Sequence, residues 1–199
     1  VVREYLKNGT EEELAIAQKY DELWKGVEWD WYTNGENVLY WHWSPNYDFQ
    51  MNLPIEGYNE CLITYILAAS SPDHAIDPQA YHQGWARNGN IVASNSTYGL
   101  PLILKHNGHQ QYGGPLFWAH YSYLGLNPTN LSDQYANYWQ LNKNQTLINY
   151  KYCVENPHNF SGYGENFWGL TASYTKNSDG SIGYTAHSPS NDRGIVSPT

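Results

Sequence analysis

The stretch Cys61 to Ala69, Cys-Leu-Ile-Thr-Tyr-Ile-Leu-Ala-Ala, constrains this chain more than any other. Wound into a helix, it is apolar nearly all round, and such a helix has to be buried on every side. It predicts a central helix from about 58 to 70, stopped by Ser71-Pro72, because a residue before proline avoids the helical region. No apolar run reaches the ~18 residues of a membrane span, so the helix belongs to a protein core.

The remaining segments supply its surround. Thr10-Glu11-Glu12-Glu13 has the form of a capping box and opens a helix running to about Gly26. Asp77-Pro78 opens a short third helix. Leu116 to Leu124 reads as a fourth. A fifth runs from Leu131 or Asp133 to Cys153, with Tyr135, Tyr138, Trp139, Leu147 and Ile148 on its apolar side, and Asn156-Pro157 ends it. Phe167 to Ser173 is expected to be another short helix. Trp29 and Trp31, then Leu39, Trp41 and Trp43, alternate around Thr33-Asn34-Gly35, which predicts a hairpin. A second hairpin is expected within 91–112, and Asp179-Gly180 marks a turn.

The fold class expected is therefore mainly α, with small β-hairpins in loops. Buried helices alternating with flanking ones fit an α/α toroid or barrel, and no repeat or linker divides the chain, which reads as one domain over 1–199. These helices are too few to close a barrel alone. The opening Val1-Val2-Arg3 lacks Met and any signal peptide, and the end, Gly194 to Thr199, has no helix stop. Both ends suggest a piece of a longer protein.

Composition narrows the function. Nine tryptophans and nineteen tyrosines in 199 residues exceed the needs of a core this size. Each offers a flat apolar face and a polar tip, which matches a sugar ring with C–H groups on its faces and hydroxyls on its rim. Ten Lys+Arg against nineteen Asp+Glu, a net charge of -9, leave no basic footprint for nucleic acid or anionic lipid. Cys61 and Cys153 are expected as two buried thiols rather than a disulfide. No nucleophile elbow, P-loop or dinucleotide fingerprint is present, and no cofactor is expected.

Glu60 is the leading candidate for chemistry. It sits at the start of the apolar helix, after Gly57-Tyr58-Asn59. Desolvation there raises a carboxyl pKa, as a general acid requires, while the helix N-terminus opposes the shift. Position alone leaves two roles open, acid or helix cap. Glu165, in Gly162-Tyr163-Gly164-Glu165-Asn166-Phe167-Trp168, lies where glycines allow close approach of a ligand. Asp30 and Glu28 rank lower, and Asp192-Arg193 reads as an ordinary surface ion pair. His42 in Trp41-His42-Trp43 and His120 in Trp118-Ala119-His120-Tyr121 suit hydrogen bonding to a sugar or a satisfied place in the core. His106 and His109 form the one close histidine pair, without the third and fourth ligands that zinc needs.

Several longer motifs carry a resemblance. They include Leu39-Tyr40-Trp41-His42-Trp43-Ser44-Pro45, Gly57-Tyr58-Asn59-Glu60, Gly113-Gly114-Pro115-Leu116-Phe117, His120-Tyr121-Ser122 and Trp168-Gly169-Leu170-Thr171-Ala172-Ser173. From about Ala17 onward the chain resembles the bacterial glucoamylase-like family, which includes endo-β-1,2-glucanases of glycoside hydrolase family 144. The resemblance implies an (α/α)6 barrel of which this chain is a middle portion. It implies inverting hydrolysis of β-1,2-glucan, a periplasmic or secreted setting, and Glu60 as general acid, acting through a substrate hydroxyl. It places the catalytic base, an aspartate, beyond Thr199 and further acidic site residues before Val1. Trp41, His42, Tyr58, His120, Tyr121, Glu165 and Trp168 are the expected sugar contacts, with an oligo- or polysaccharide and the rest of the barrel as partners. A non-catalytic carbohydrate-binding protein of the same fold is the alternative. A polysaccharide lyase fits poorly, because this Arg-poor chain has little to neutralise a uronate.

Overall fold

The computed structural model describes residues 2–107 and 111–198. They group into two compact units, Val1–Glu56 with Cys61–Gly89, and Gly57–Glu60 with Asn90–Thr199. Helices predominate, and the paired strands form two small antiparallel hairpins among the described residues.

The first unit contains α1 (Val2–Tyr5), α2 (Glu11–Lys25) and α3 (Leu62–Ala69). The capping box opens α2 as expected. Thr10 Oγ1 accepts from Glu13 N at 3.3 Å, and Glu13 Oε2 accepts from Thr10 N at 2.8 Å. Three glutamates in the first turn and Lys25 in the last favour the helix dipole.

The apolar helix is shorter than expected. Its N-cap is Cys61, and no side chain caps it. Leu62, Tyr65 and Ala68 form one fully buried stripe, the other faces are half-covered and Ala69 is exposed. Burial on every side is thus corrected to burial along one stripe. Tyr65 explains how a polar group enters that stripe. Its hydroxyl accepts from Leu39 N and donates to Ile55 O, both at 2.9 Å, so one side chain satisfies a donor and an acceptor of the incoming loop.

The hairpin expected over 29–43 does not form. Residues 28–34 coil through short turns, with Thr33 Oγ1 donating to Asp30 O at 2.7 Å, and this uses the groups a strand would offer. The Asn34-Gly35 turn exists, with φ of 51° and 77°. One bond crosses back, Tyr40 N to Tyr32 O at 2.9 Å, but the segment pairs mainly elsewhere: Trp41 N donates to Leu53 O at 3.0 Å and Ile55 N to Leu39 O at 2.7 Å. Asp77 accepts from Gln79 N at 2.7 Å, starting the third helix as predicted, and it continues as a π-helical turn, Ala80–Trp85. Gly84 is required there, since a Cβ would lie 2.8 Å from Asn37 O.

The second unit holds β1 (Ser96–Thr97), β2 (Leu100–Pro101), α4 (Leu116–His120), α5 (Tyr138–Glu155), β3 (Ala172–Lys176) and β4 (Ile182–Ala186). The hairpin within 91–112 is the β1–β2 pair. It turns through Tyr98 and Gly99 at φ 56° and 75°, the doubly left-handed geometry that suits strand twist. A 3₁₀ turn, Tyr121–Leu124, extends α4.

α5 starts later than expected, at an Asn137 N-cap whose side chain accepts from Gln140 N at 2.9 Å. Asp133 closes a separate turn before it, accepting from Tyr135 N and Ala136 N at 2.8 Å. The expected apolar face is also corrected: Trp139 and Leu147 are 44% and 41% exposed. The buried face carries three amides beside Leu141, Ile148, Tyr152 and Cys153. Asn144 donates to Pro101 O at 2.8 Å. Gln145 donates to Tyr112 O at 3.0 Å and Gly114 O at 3.3 Å. Asn149 Oδ1 accepts from Leu170 N at 3.0 Å. Backbone groups of β2 and of the irregular segments thus find partners on a helix. Gly113 is required beside them, because it has φ 77° and a Cβ would lie 2.2 Å from Gln145 Oε1.

The helix expected over 167–173 is extended chain leading into β3. Gly169, at φ 113°, cannot sit in an L-residue helix, and Ala172–Lys176 pairs with β4 around the Asp179-Gly180 turn. Cys61 and Cys153 are buried thiols outside any disulfide, as expected.

Asn149→Ala strands the buried Leu170 N–H, a loss of about 1–3 kcal/mol. The urea unfolding midpoint should fall accordingly, whereas Asn142→Ala, at a partly buried position, should cost less.

Candidate active site

Within the second unit, the segment Gly57–Glu60 is held by the turn that follows α4. Gly57 has φ 71°, Tyr58 forms a parallel bridge with His106, and Ser122 Oγ donates to Glu60 O at 2.6 Å. The Tyr58 and Tyr123 hydroxyls lie 3.2 Å apart. Successive residues of one 3₁₀ turn thus fix both ends of the Tyr58–Glu60 stretch.

The Glu60 carboxyl is half-buried, and its Oε2 is enclosed with no hydrogen-bond partner. Burial pushes its pKa above the usual 4.5, opposed by its own backbone N–H. Cys61 occupies the N-cap position and α3 has no side-chain cap bond, so helix capping does not account for Glu60. A carboxyl that is partly desolvated, has one oxygen without a partner and is fixed through its backbone is a candidate proton donor.

His120 and Trp168 meet α5 on one stripe. His120 Nε2 lies 2.9 Å from Thr146 Oγ1, and the Trp168 ring packs edge-on against Tyr150 at 5.3 Å. Thr146 and Tyr150 are four residues apart, hence neighbours on the helix surface. Asn142, one turn earlier, donates to Ala119 O at 2.6 Å. Burial lowers the His120 pKa below 6.5, which favours the neutral form of the ring beside Thr146. Tyr121 is 48% exposed beside Phe117, with ring centroids 5.4 Å apart. Glu165 is exposed, in the Gly164–Phe167 turn that leads to Trp168.

Tyr58 departs from expectation. It is 1% exposed, stacked on Tyr138 and tilted against His106, so it lies under the surface and cannot offer a face to a sugar. Trp41 and His42 belong to the first unit. There Trp41 lines an apolar pocket of about 270 Å³ with Leu39, Ile55 and Thr64, while His42 Nδ1 is buried without a partner.

Asp192 and Arg193 do not pair. Asp192 Oδ1 accepts from Tyr163 OH at 2.7 Å and from Gly194 N at 2.9 Å, and Arg193 donates to Asn177 Oδ1 at 3.2 Å. The local turn directs the two side chains to different partners. His106 is a core residue whose Nδ1 accepts from Gly114 N at 3.0 Å, and His109 lies outside the described residues. Among the described residues no group of three or more His, Cys, Asp or Glu could hold a metal ion.

Sequence reasoning missed Ser122, Tyr123, Thr146 and Tyr150, the groups that hold the candidates. Only Ser122 had a signal, as part of His120-Tyr121-Ser122.

A family model described as "Putative glucoamylase" matches residues 52–199. Exo β-1,2-glucooligosaccharide sophorohydrolase (non-reducing end) of Parabacteroides distasonis is 38% identical over 218 residues, covering 99% of this chain and 29% of that protein. The structure of an endo-β-1,2-glucanase from Chitinophaga pinensis, in complex with sophorotriose and glucose, superposes with a TM-score of 0.90 at 56% identity, covering 98% of this chain and 46% of that one. A β-1,2-glucanase structure from Parabacteroides distasonis gives 0.85 at 38% identity, covering 96% and 29%. The chain spans about half the length of these relatives, or less.

A raised carboxyl pKa makes Glu60 costly when ionised. Below the ordinary 4.5 the group is protonated both folded and unfolded, and the cost is absent. As pH rises through 4.5 the unfolded chain ionises first, and stability falls until the folded-state pKa is passed. Glu60→Gln should therefore raise the urea midpoint at pH 7 relative to the parent and lose that advantage at pH 4. Equal midpoints of the two proteins at both values would count against the shift.

Proposed function

The chain belongs to the glucoamylase-like family, and from that premise we propose that the whole protein hydrolyses β-1,2-linked glucan with Glu60 as its general acid. The observation that carries this is the Glu60 carboxyl, half-buried with an unpartnered oxygen, in a chain 56% identical to an endo-β-1,2-glucanase. Burial, which raises its pKa, favours the protonated form that a general acid must have.

In an inverting reaction, the proton from Glu60 reaches the leaving oxygen as the C1–O bond breaks. A water attacks C1 from the opposite face and gives its proton to a second carboxylate, with the two carboxyls about 6.5–9.5 Å apart. That base, an aspartate, is assigned outside this chain. His120, Tyr121, Glu165 and Trp168 contact sugar rings in the second unit. Their grouping around α4, α5 and the turn before Trp168 supports this. Tyr58 acts from beneath, as a support for Glu60. Trp41 and His42 are sugar contacts of the first unit, where one is exposed and the other keeps a buried nitrogen unpaired.

The chain makes one glucoamylase-like domain together with further segments of the same protein, and its helices form part of an (α/α)6 barrel. The mainly helical structure and the partial coverage of every relative described support this. No described helix is long and apolar enough to cross a membrane. A polysaccharide substrate, too large to enter a cell freely, favours a periplasmic or secreted setting.

The full-length protein should release reducing ends from β-1,2-glucan. Glu60→Gln should lower that turnover by about 10²–10⁴-fold while binding of the glucan persists. Wild-type protein that binds glucan but releases no reducing ends would instead be a non-catalytic binder of the same fold.

Ser122→Ala frees the backbone of Glu60 without touching its carboxyl. Its expected signature in the full-length enzyme is a lower kcat at unchanged KM, with a displaced pH–rate profile and partial rescue by Ser122→Thr. A loss of melting temperature alone would reduce Ser122 to a structural part.

A further inference from the structure

A cavity of about 580 Å³ opens in the first unit, lined among others by Glu28, Asp30, Trp31, Asn34, Phe49 and His74. None of these residues enters the reaction described above. Within its lining, His74 Nδ1, five residues past the end of α3, lies 3.3 Å from Asp30 Oδ1.

The lining chemistry selects the ligand. Trp31 is 51% exposed. Its ring is set by Trp43, edge-on at 6.1 Å, and by Phe49 at 6.4 Å, so one rigid aromatic surface faces solvent. Beside it stand two carboxylates, the Thr33 hydroxyl and the Asn34 amide, with no Lys or Arg in the lining. A phosphate or other anion would meet the Glu28 and Asp30 carboxylates with no Lys or Arg in the lining to offset them. A wholly apolar ligand would bury those polar groups unpaired. A metal would need more ligands than converge there. A glycosyl unit satisfies each group, stacking its C–H face on Trp31 while its hydroxyls donate to the carboxylates. The volume is that of ordinary small-ligand sites, roughly 300–1,000 Å³.

We propose that this cavity is a second saccharide site, which holds neutral glycosyl units of a glucan chain apart from the bond being cleaved. That the sugar is a β-1,2-glucan rests on the function proposed above, whereas the stacking and hydroxyl chemistry do not. The test uses the full-length protein carrying Glu60→Gln, titrated calorimetrically with sophorotriose and, separately, with laminaritriose. Two classes of site are expected for sophorotriose. Adding Trp31→Ala should abolish one and leave the Kd of the other unchanged. Adding Asp30→Asn instead should weaken the same class about tenfold, equivalent to ~1.4 kcal/mol.

A single class of site in the parent, or two intact classes after Trp31→Ala, overturns the proposal. So does a fall in melting temperature after Trp31→Ala with both classes retained, since the cavity would then be filled by another part of the same protein. Laminaritriose bound at the Trp31-dependent class, with no reducing ends released from β-1,2-glucan by the wild type, would sink the proposed function and leave the site standing.

Discussion

Three amides on the buried face of α5 hold the second unit together. Loops without strand partners must still satisfy every buried N–H and C=O. Asn144, Gln145 and Asn149 meet that demand for the 101, 112–114 and 170 segments at once. Leucine at these places would bury more apolar surface and leave four backbone groups unpaired. A helix with a polar core face is therefore the condition for keeping so much irregular chain packed, and irregular chain carries the functional groups.

The same economy explains where tyrosine is spent. Tyr65 bridges a donor and an acceptor of the loop entering α3, and Tyr58 and Tyr138 stack below the segment that ends in Glu60. Each brings apolar area and one polar tip to a boundary between helix and loop. The aromatic surplus thus serves two purposes. One part supports backbone that no sheet supports, and another part, Trp31, Trp41 and Tyr121 among them, remains at the surface.

Much of the helical frame was legible in the sequence because its signals are local. The Thr10–Glu13 box, Asp77-Pro78, Asn156-Pro157 and the Asn34-Gly35 turn each act over a few residues, and each stands where it was expected. What the sequence hid depends on distant partners. Residues 39–41 pair mainly with 53–55, and the preceding turns, which bond mostly within themselves, offer them only Tyr32 O. The polar stripe on α5 looks like solvent-facing residues until the loops it serves are in place, which misdirected the choice of its apolar face. Glu60 was readable as a candidate from its apolar flank. Its anchoring by Ser122 was not, since 62 residues separate them.

The separations across α5 also set an order of events. Pro101 finds Asn144 across 43 residues, and Tyr112 finds Gln145 across 33. At a synthesis rate of about 5–20 residues per second, the earlier carbonyls leave the ribosome roughly 2–9 s before their partners exist. The helix made later holds chain made earlier, so these bonds can form only once that part of α5 exists.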